Sequence, residues 1–437
     1  MILPKIIRIT YSLCPVCLSR IPAQHVLIGG NVYLQKKCAR HGFFSSIVWR
    51  SKTPMNEWIG DTPKMKKTEN LNCPKACGLC PDHRQGTCCV LLEVTSRCNL
   101  SCNYCFADSG DKADPSLEQV QAWLRQLAVP GKTLVQLSGG EPTIREDLPE
   151  IIKGAKQAGC RYVQLNSNGI RLAEDKEYVE RLAEAGLSFV FMQFDGTNDE
   201  INRKLRGADL LALKKQAIEN CAAYNIGVPL VPMLVPGVNT DNIGELLYFA
   251  ISKSPAVRGV HFQPVSYFGR IPERPVDEVR YTLDELICDI EKQTEGQIKI
   301  KNLMPSRCDH PLCGFHGDFV VMPNGIEPLS KRYASKGDCC CGSEPVSADK
   351  NRAFVARRWE RQAQNQEAHS CCNEPDIHDM DYFLKRVKSH GFTITAMAFQ
   401  DAGNLDLERL RRCSLHVFDN GKFVPFCSYY LSGWDMT

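Results

Sequence analysis

Between residues 90 and 266, short apolar runs alternate with amphipathic stretches. VLLEVT (90–95), TLVQLSG (133–139), YVQLNSNG (162–169), LSFVFMQFDG (187–196), VPLVPMLVPG (228–237) and GVHFQPVS (259–266) are rich in branched and aromatic residues and bounded by turn formers. That composition predicts strands. Between them lie SLEQVQAWLRQLAV, EDLPEIIKGAKQAG, DKEYVERLAEAG, LLALKKQAIENCAAYNIG and DNIGELLYFAISK, whose apolar positions recur at helical spacing and which often close on glycine. Strands alternating with helices imply parallel strands joined by right-handed crossovers. Six such units predict an α/β fold, an open, partial (β/α)6 TIM-type barrel over residues 90–299. Residues 1–60 read as a small β-rich rubredoxin/zinc-ribbon-like metal module, and 61–89 as a loop-rich, cysteine-dense connector. Residues 300–437 lose the alternation and gain cysteine pairs, which predicts a C-terminal auxiliary cluster domain. Neither a solenoid repeat nor a long low-complexity tract interrupts this order.

Charge and hydropathy narrow the partners. The 53 basic and 50 acidic residues leave a formal charge of +3 over 437 residues, so no global field favours nucleic acid or an anionic membrane. The opening MILPKIIRITYSLCP has no apolar run of signal-peptide length, and GVPLVPMLVPGV is short and broken by prolines. No transmembrane segment and a cytoplasmic location are therefore expected.

Twenty-three cysteines then demand an explanation. Cytosolic thiols stay reduced, so metal binding is expected rather than a disulfide framework. Cys160, Cys221 and Cys288 stand apart from the clusters and are expected to be small apolar core residues. Cys98, Cys102 and Cys105 follow directly on the first barrel strand, and loops at that end of a barrel build active sites. Three thiolates can hold three irons of a 4Fe-4S cluster and leave the fourth open to a ligand. The second strand ends in Gly139, Gly140, Glu141 and Pro142, where glycine permits close backbone approach and a carboxylate can accept from an ammonium group.

This CxxxCxxC with Tyr104 before its last cysteine, followed by GGEP, resembles the signature of the radical S-adenosylmethionine (SAM) enzymes. The resemblance implies that Cys98, Cys102 and Cys105 are the catalytic cluster ligands, and that the open iron chelates the methionine end of SAM. Electron transfer from the cluster then cleaves the sulfonium to a 5′-deoxyadenosyl radical, which abstracts a substrate hydrogen. Glu141 would take the methionine amino group, Ser167 and Asn168 the ribose or carboxylate, and Val235 would lie near the adenine. Gln193, Asp195 and Gln263 also stand at strand ends facing the mouth, where Asp195 either caps its turn or contacts a ligand.

Further metal sites flank the barrel. Cys14-x2-Cys17, a strand pair, then Cys38-x2-His41 form two knuckles suited to tetrahedral zinc or mononuclear iron, unless His41 caps the turn and another group supplies the fourth ligand. Cys73, Cys77 and Cys80, closed by either Cys88 or Cys89, predict an auxiliary 4Fe-4S cluster. Cys308 and Cys313, with Cys413 and Cys427 bracketing FDNGKF, predict a second. The vicinal runs Cys339–Cys341 and Cys371–Cys372 suit one metal poorly and read as redox-active thiols or selenocysteine-like positions. The whole order resembles the branch holding the tetraether lipid synthases, the proposed methanopterin methylases and the bacterial radical SAM (seleno)protein group TrsS. It implies hydrogen abstraction from an unactivated carbon for C–C coupling or methylation of a lipid or small molecule, with a ferredoxin or flavodoxin supplying electrons. The alternatives are a maturase acting on a peptide or partner protein, and a non-catalytic iron-sulfur electron carrier. A lipid substrate predicts a long apolar groove at the mouth.

Overall fold

The computed structural model describes residues 4–60, 73–74, 78–107, 110, 113–272, 275–329, 347–361 and 380–433. Cys77, Cys339–Cys341 and Cys371–Cys372 lie outside these residues.

Strands β1 (Lys5–Leu13), β2 (Arg20–Ile28), β3 (Asn31–Cys38) and β4 (Gly42–Trp49) form an antiparallel sheet in chain order. Gly29 and Gly30, at φ 57° and 90°, make the two-residue β2–β3 turn, a conformation that residues with a Cβ adopt only with strain. The predicted barrel strands follow as β5 (Cys89–Thr95), β6 (Leu134–Gly139), β7 (Tyr162–Ser167), β8 (Phe189–Gln193), β9 (Val228–Val231) with its continuation β10 (Met233–Leu234), and β11 (Val257–Pro264). The five predicted helices are present at Leu117–Leu127, Leu148–Gln157, Lys176–Glu184, Leu211–Ala223 and Ile243–Ser252. A further helix, Asp199–Arg206, falls in a segment whose apolar stripe is only Ile201 and Leu205. Asn198 caps it, accepting from the Ile201 N–H at 3.1 Å.

Downstream come β12 (Met304–Pro305), β13 (Gly314–Met322), β14 (Gly325–Pro328), β15 (Gly391–Met397), β16 (Leu415–Asp419) and β17 (Lys422–Pro425). Here the fold departs from a boundary at 299/300. β15 pairs in parallel with β11, and β16 in parallel with β5, so the C-terminal region extends the barrel sheet at both edges. The continuous order is β12-β13-β15-β11-β9-β8-β7-β6-β5-β16-β17, parallel from β15 to β16 and antiparallel beyond. The FDNGKF turn joins β16 and β17 as a hairpin, with Asn420 and Gly421 at positive φ.

Strand alternation sorts the side chains into two environments. Val90, Leu92, Val135, Leu137, Val163, Leu165, Val190 and Phe262 point outward into one core with Val120, Leu124, Ile151, Leu182, Ile218 and Leu247 of the helices. The intervening positions point inward, and many of them are polar: Gln136, Gln164, Asn166, Gln193, His261, His316, Asp318, Thr393 and Thr395. The N-terminal sheet is bonded to the rest of the chain. Lys36 Nζ donates to the Ala402 carbonyl at 2.7 Å, Thr10 Oγ1 to Asp406 at 2.6 Å, and Arg8 pairs with Glu408 at 2.6 Å.

Candidate active site and metal centre

The loop after β5 carries the cysteine trio. Its path is set by backbone: the Cys105 N–H donates to the Arg270 carbonyl at 3.0 Å, and the Arg270 N–H to the Cys105 carbonyl at 2.9 Å. Gly140 N–H donates to Thr95 O at 2.8 Å and Glu141 N–H to Arg97 O at 2.9 Å, locking the end of β6 against the residues just ahead of Cys98. A Cβ on Gly139 would sit 2.0 Å from Thr95 O, and one on Gly140 1.9 Å from Arg97 O. The glycine pair thus serves first to let two loop backbones touch, where the sequence led us to expect close approach to a ligand.

Glu141 is buried and richly satisfied. Oε1 accepts from Thr143 N at 3.2 Å, Thr143 Oγ1 at 2.7 Å and Ser167 Oγ at 2.8 Å, while Oε2 accepts only from Asn168 N at 2.6 Å. Each carboxylate oxygen has about two acceptor sites, so among the described residues Oε2 keeps one for an incoming donor. Burial pushes the Glu141 pKa up, against the pull of these bonds. The same carboxylate binds the ends of β6 and β7 together.

A cavity of about 360 Å³ joins these groups. Cys98, Cys102, Cys105, Tyr104, Gly139, Gly140, Glu141, Ser167, Asn168, Gln193 and Gln263 line it; Pro142, Asp195 and Val235 do not. Pro142 opens a short turn, and Val235 packs with Ile201, Leu205 and Tyr267. Asp195 is committed to Arg206, which donates to it from Nε at 2.7 Å and from Nη2 at 2.8 Å, and it also accepts from the Met233 N–H at 3.0 Å. Such bidentate pairs fix a guanidinium rigidly. Arg206 lines the cavity beside Cys102, a cation at the thiol loop that sequence reading missed. Burial next to Glu141 pushes the Cys98 thiol up to about 11, so a metal must hold it as thiolate at neutral pH. Three thiols, a fixed cation and a carboxylate with a free lone pair around one cavity fit a 4Fe-4S cluster with SAM.

The other predicted sets fare differently. Cys14, Cys17, Cys38 and His41 converge with their ligand atoms all within 4.8 Å, the spacing a single tetrahedral ion requires. The Ser19 hydroxyl, 3.3 Å from Cys17, holds that thiol down to about 6. Cys88 does not keep to the connector: its thiol contacts Cys308. Cys73 packs in the same apolar cluster as Cys427, and His83 Nε2 donates to the Cys413 carbonyl at 2.8 Å. The two expected auxiliary sets are therefore interleaved, because residues 83–89 are bonded to Arg411, Cys413 and Ser414 just ahead of β16. Cys160 and Cys221 are buried in the main core as expected, and Cys288 is half-buried.

Sequence reading also missed the lumen amides. Gln136 Nε2 donates to Gln164 Oε1 at 3.2 Å, Gln164 Nε2 to Asn166 Oδ1 at 2.7 Å, and Asn166 Nδ2 to Ser138 Oγ at 3.3 Å. Polar residues at alternate positions of strands whose other face is fully apolar were the available signal.

Residues 92–250 match the radical SAM superfamily, and residues 6–50 match the HMPTM N-terminal zinc ribbon domain. The chain is 34% identical to the 7,8-dihydro-6-hydroxymethylpterin dimethyltransferase of Methanocaldococcus jannaschii, across 96% of this chain and 92% of that protein. It is 31% identical to the Fe-coproporphyrin III synthase of Methanosarcina barkeri, over 51% of this chain and 56% of that one. Streptococcus suis SuiB bound to precursor peptide SuiA aligns with a TM-score of 0.38 at 17% identity, covering 49% of this chain and 46% of that one.

Proposed function

Because the chain belongs to the radical SAM superfamily, in the branch of the 7,8-dihydro-6-hydroxymethylpterin dimethyltransferase, we propose that it methylates an unactivated carbon of a small heterocycle of the pterin class, one SAM supplying the hydrogen-abstracting radical and a separate one-carbon donor, a second SAM or a carrier, the methyl group. The observation that carries this is the cavity itself. It begins at Cys98, Cys102 and Cys105 and continues along an amide ladder that can hydrogen-bond the edge of a flat heterocycle. Its volume of about 360 Å³ falls in the range of small-molecule pockets. Near full-length similarity to a pterin dimethyltransferase points the same way.

Cys98, Cys102 and Cys105 would hold the cluster, and Gly140, Glu141, Ser167 and Asn168 the methionine end of SAM. Bound there, cluster and SAM supply a carbon-centred radical able to take hydrogen from an unactivated carbon. The chain's own residues prepare that chemistry. Glu141 fixes the β6 and β7 loops against each other, and Asp195 holds Arg206 beside Cys102 to offset thiolate charge. Tyr104, Gln193 and Gln263 would complete the cofactor's surroundings. We further assign zinc to Cys14, Cys17, Cys38 and His41. Auxiliary 4Fe-4S clusters would draw on the interleaved cysteines Cys73, Cys80, Cys88, Cys308, Cys313, Cys413 and Cys427. Electrons would come from a ferredoxin or flavodoxin in the cytoplasm. Among the described residues no helix is long and apolar enough to cross a membrane.

The test is anaerobic reconstitution with SAM and dithionite. We expect 5′-deoxyadenosine from the native chain and none from Cys102→Ala. A fully iron-loaded native protein that yields no more than the variant would remove radical chemistry and leave an electron carrier.

A further inference from the structure

At the end of the lumen remote from Cys98, Cys102 and Cys105 stands a carboxylate that nothing in the radical machinery uses. Asp318, on β13, is 5% exposed and lines the cavity. Among the described residues no hydrogen-bond donor reaches its side chain; the nearest cation, Arg358 Nε, is 3.9 Å away. A buried carboxylate without donors is expensive to keep, and such groups commonly await a ligand. Its surroundings are aromatic and planar. Thr393 faces Asp318 across the β13–β15 ladder, and its Oγ1 accepts the Trp359 indole N–H at 2.9 Å, so carboxylate and indole flank one threonine. The Trp359 and Phe191 rings lie 4.9 Å apart between centroids, and Phe191 and His261 5.1 Å. All of these residues line the same cavity.

We infer that this end of the cavity is the recognition pocket for a 2-amino-4-oxopyrimidine ring, with Asp318 accepting from its 2-amino and N3–H groups and the Trp359–Phe191–His261 cluster covering its face. The inference rests on the proposed pterin-class substrate. A pterin offers two adjacent donors on that edge, and a carboxylate offers two adjacent acceptors. The parallel strands run from this pocket to the mouth. Thr393 is four residues before Met397, the end of β15, which places the two levels about 13 Å apart. Anchoring the pyrimidine edge at the base therefore points the second ring of the pterin toward the cysteines. Burial pushes the Asp318 pKa up to about 6, so the carboxylate is ionised and acceptor-only at neutral pH.

The test is equilibrium binding to the anaerobic, metal-loaded protein, read by ligand fluorescence. The probes are 6-hydroxymethylpterin and 6-hydroxymethyllumazine, which carries oxygen in place of the 2-amino group. Lumazine presents an acceptor beside a donor, the pattern that matches an amide. The native chain should prefer the pterin by at least about tenfold, and Asp318→Asn should lose that preference or invert it. Loss of fold in the variant would weaken both ligands equally, and thermal melts separate that case. If native protein binds the pterin and Asp318→Asn keeps the same preference, the pocket assignment fails while the pterin substrate stands. If native protein binds neither probe yet yields 5′-deoxyadenosine, the pterin substrate itself fails and this assignment with it.

Discussion

Asp318 and Glu141 are both buried carboxylates, but they differ in their partners. Glu141 accepts from four donors and knits two loops; among the described residues Asp318 has only the Arg358 guanidinium, 3.9 Å away. Burial raises the Asp318 pKa from 3.8 to about 6, with Arg358 opposing. Between those pH values the folded chain keeps a proton that the unfolded chain has released, so stability falls as pH rises through that window. Above it the deficit is at most about 3 kcal/mol. Asp318→Asn should therefore melt higher than the native chain at pH 7.5, with the gain shrinking toward pH 4. A variant that melts lower at pH 7.5 would mean the carboxylate already has a stabilising partner. Glu141→Gln should do the opposite. Its amide places a donor where only acceptors fit, against Asn168 N–H or the Ser167 and Thr143 donors, and should destabilise by about 1–3 kcal/mol and weaken SAM binding at least about tenfold. Calorimetry and SAM titration check both effects.

The elements that matter most are held by backbone contact as well as side chains. Gly140→Ala would place a methyl 1.9 Å from Arg97 O and push the segment ahead of Cys98 away. We expect that variant to lose about four irons per chain from the trio's cluster and to keep its zinc. Metal analysis decides it: retained iron would mean the loop tolerates the shift. The N-terminal sheet offers the converse. Cys17→Ser should lose about one zinc per chain and lower the melting temperature, because Lys36, Thr10 and Arg8 tie that sheet to residues 402–408.

Across the whole molecule, the barrel core is not self-sufficient. β15 covers the edge of β11, and β16 covers the edge of β5. A fragment of residues 90–299 would expose both edges as unpaired strands and should aggregate on expression. A soluble monomer with a cooperative melt would show that the C-terminal strands are ornament. The same arrangement explains the cysteine belt. Placing β16 beside β5 brings the end of the connector against Cys308 and Cys413, so residues more than two hundred positions apart in sequence become neighbours.

Much of this was legible in sequence because it is local. Apolar alternation between residues 90 and 266 specified six strands and their order, since each strand is joined to the next by a short helical crossover. CxxxCxxC and GGEP pointed to the radical SAM superfamily for the same reason: the two motifs lie on adjacent strand ends. The N-terminal Cys/His knuckles were equally local, two tight turns on one small sheet. What only the tertiary structure decided is non-local. β15 and β16 join the barrel edges across intervening antiparallel strands, and no periodicity encodes which distant strand a given strand will pair with. The regrouping of Cys88 with Cys308 and the seat of Asp318 opposite Thr393, with Arg358 3.9 Å away, follow from that pairing. Local pattern fixes which way a side chain faces; closure of the sheet fixes what it faces.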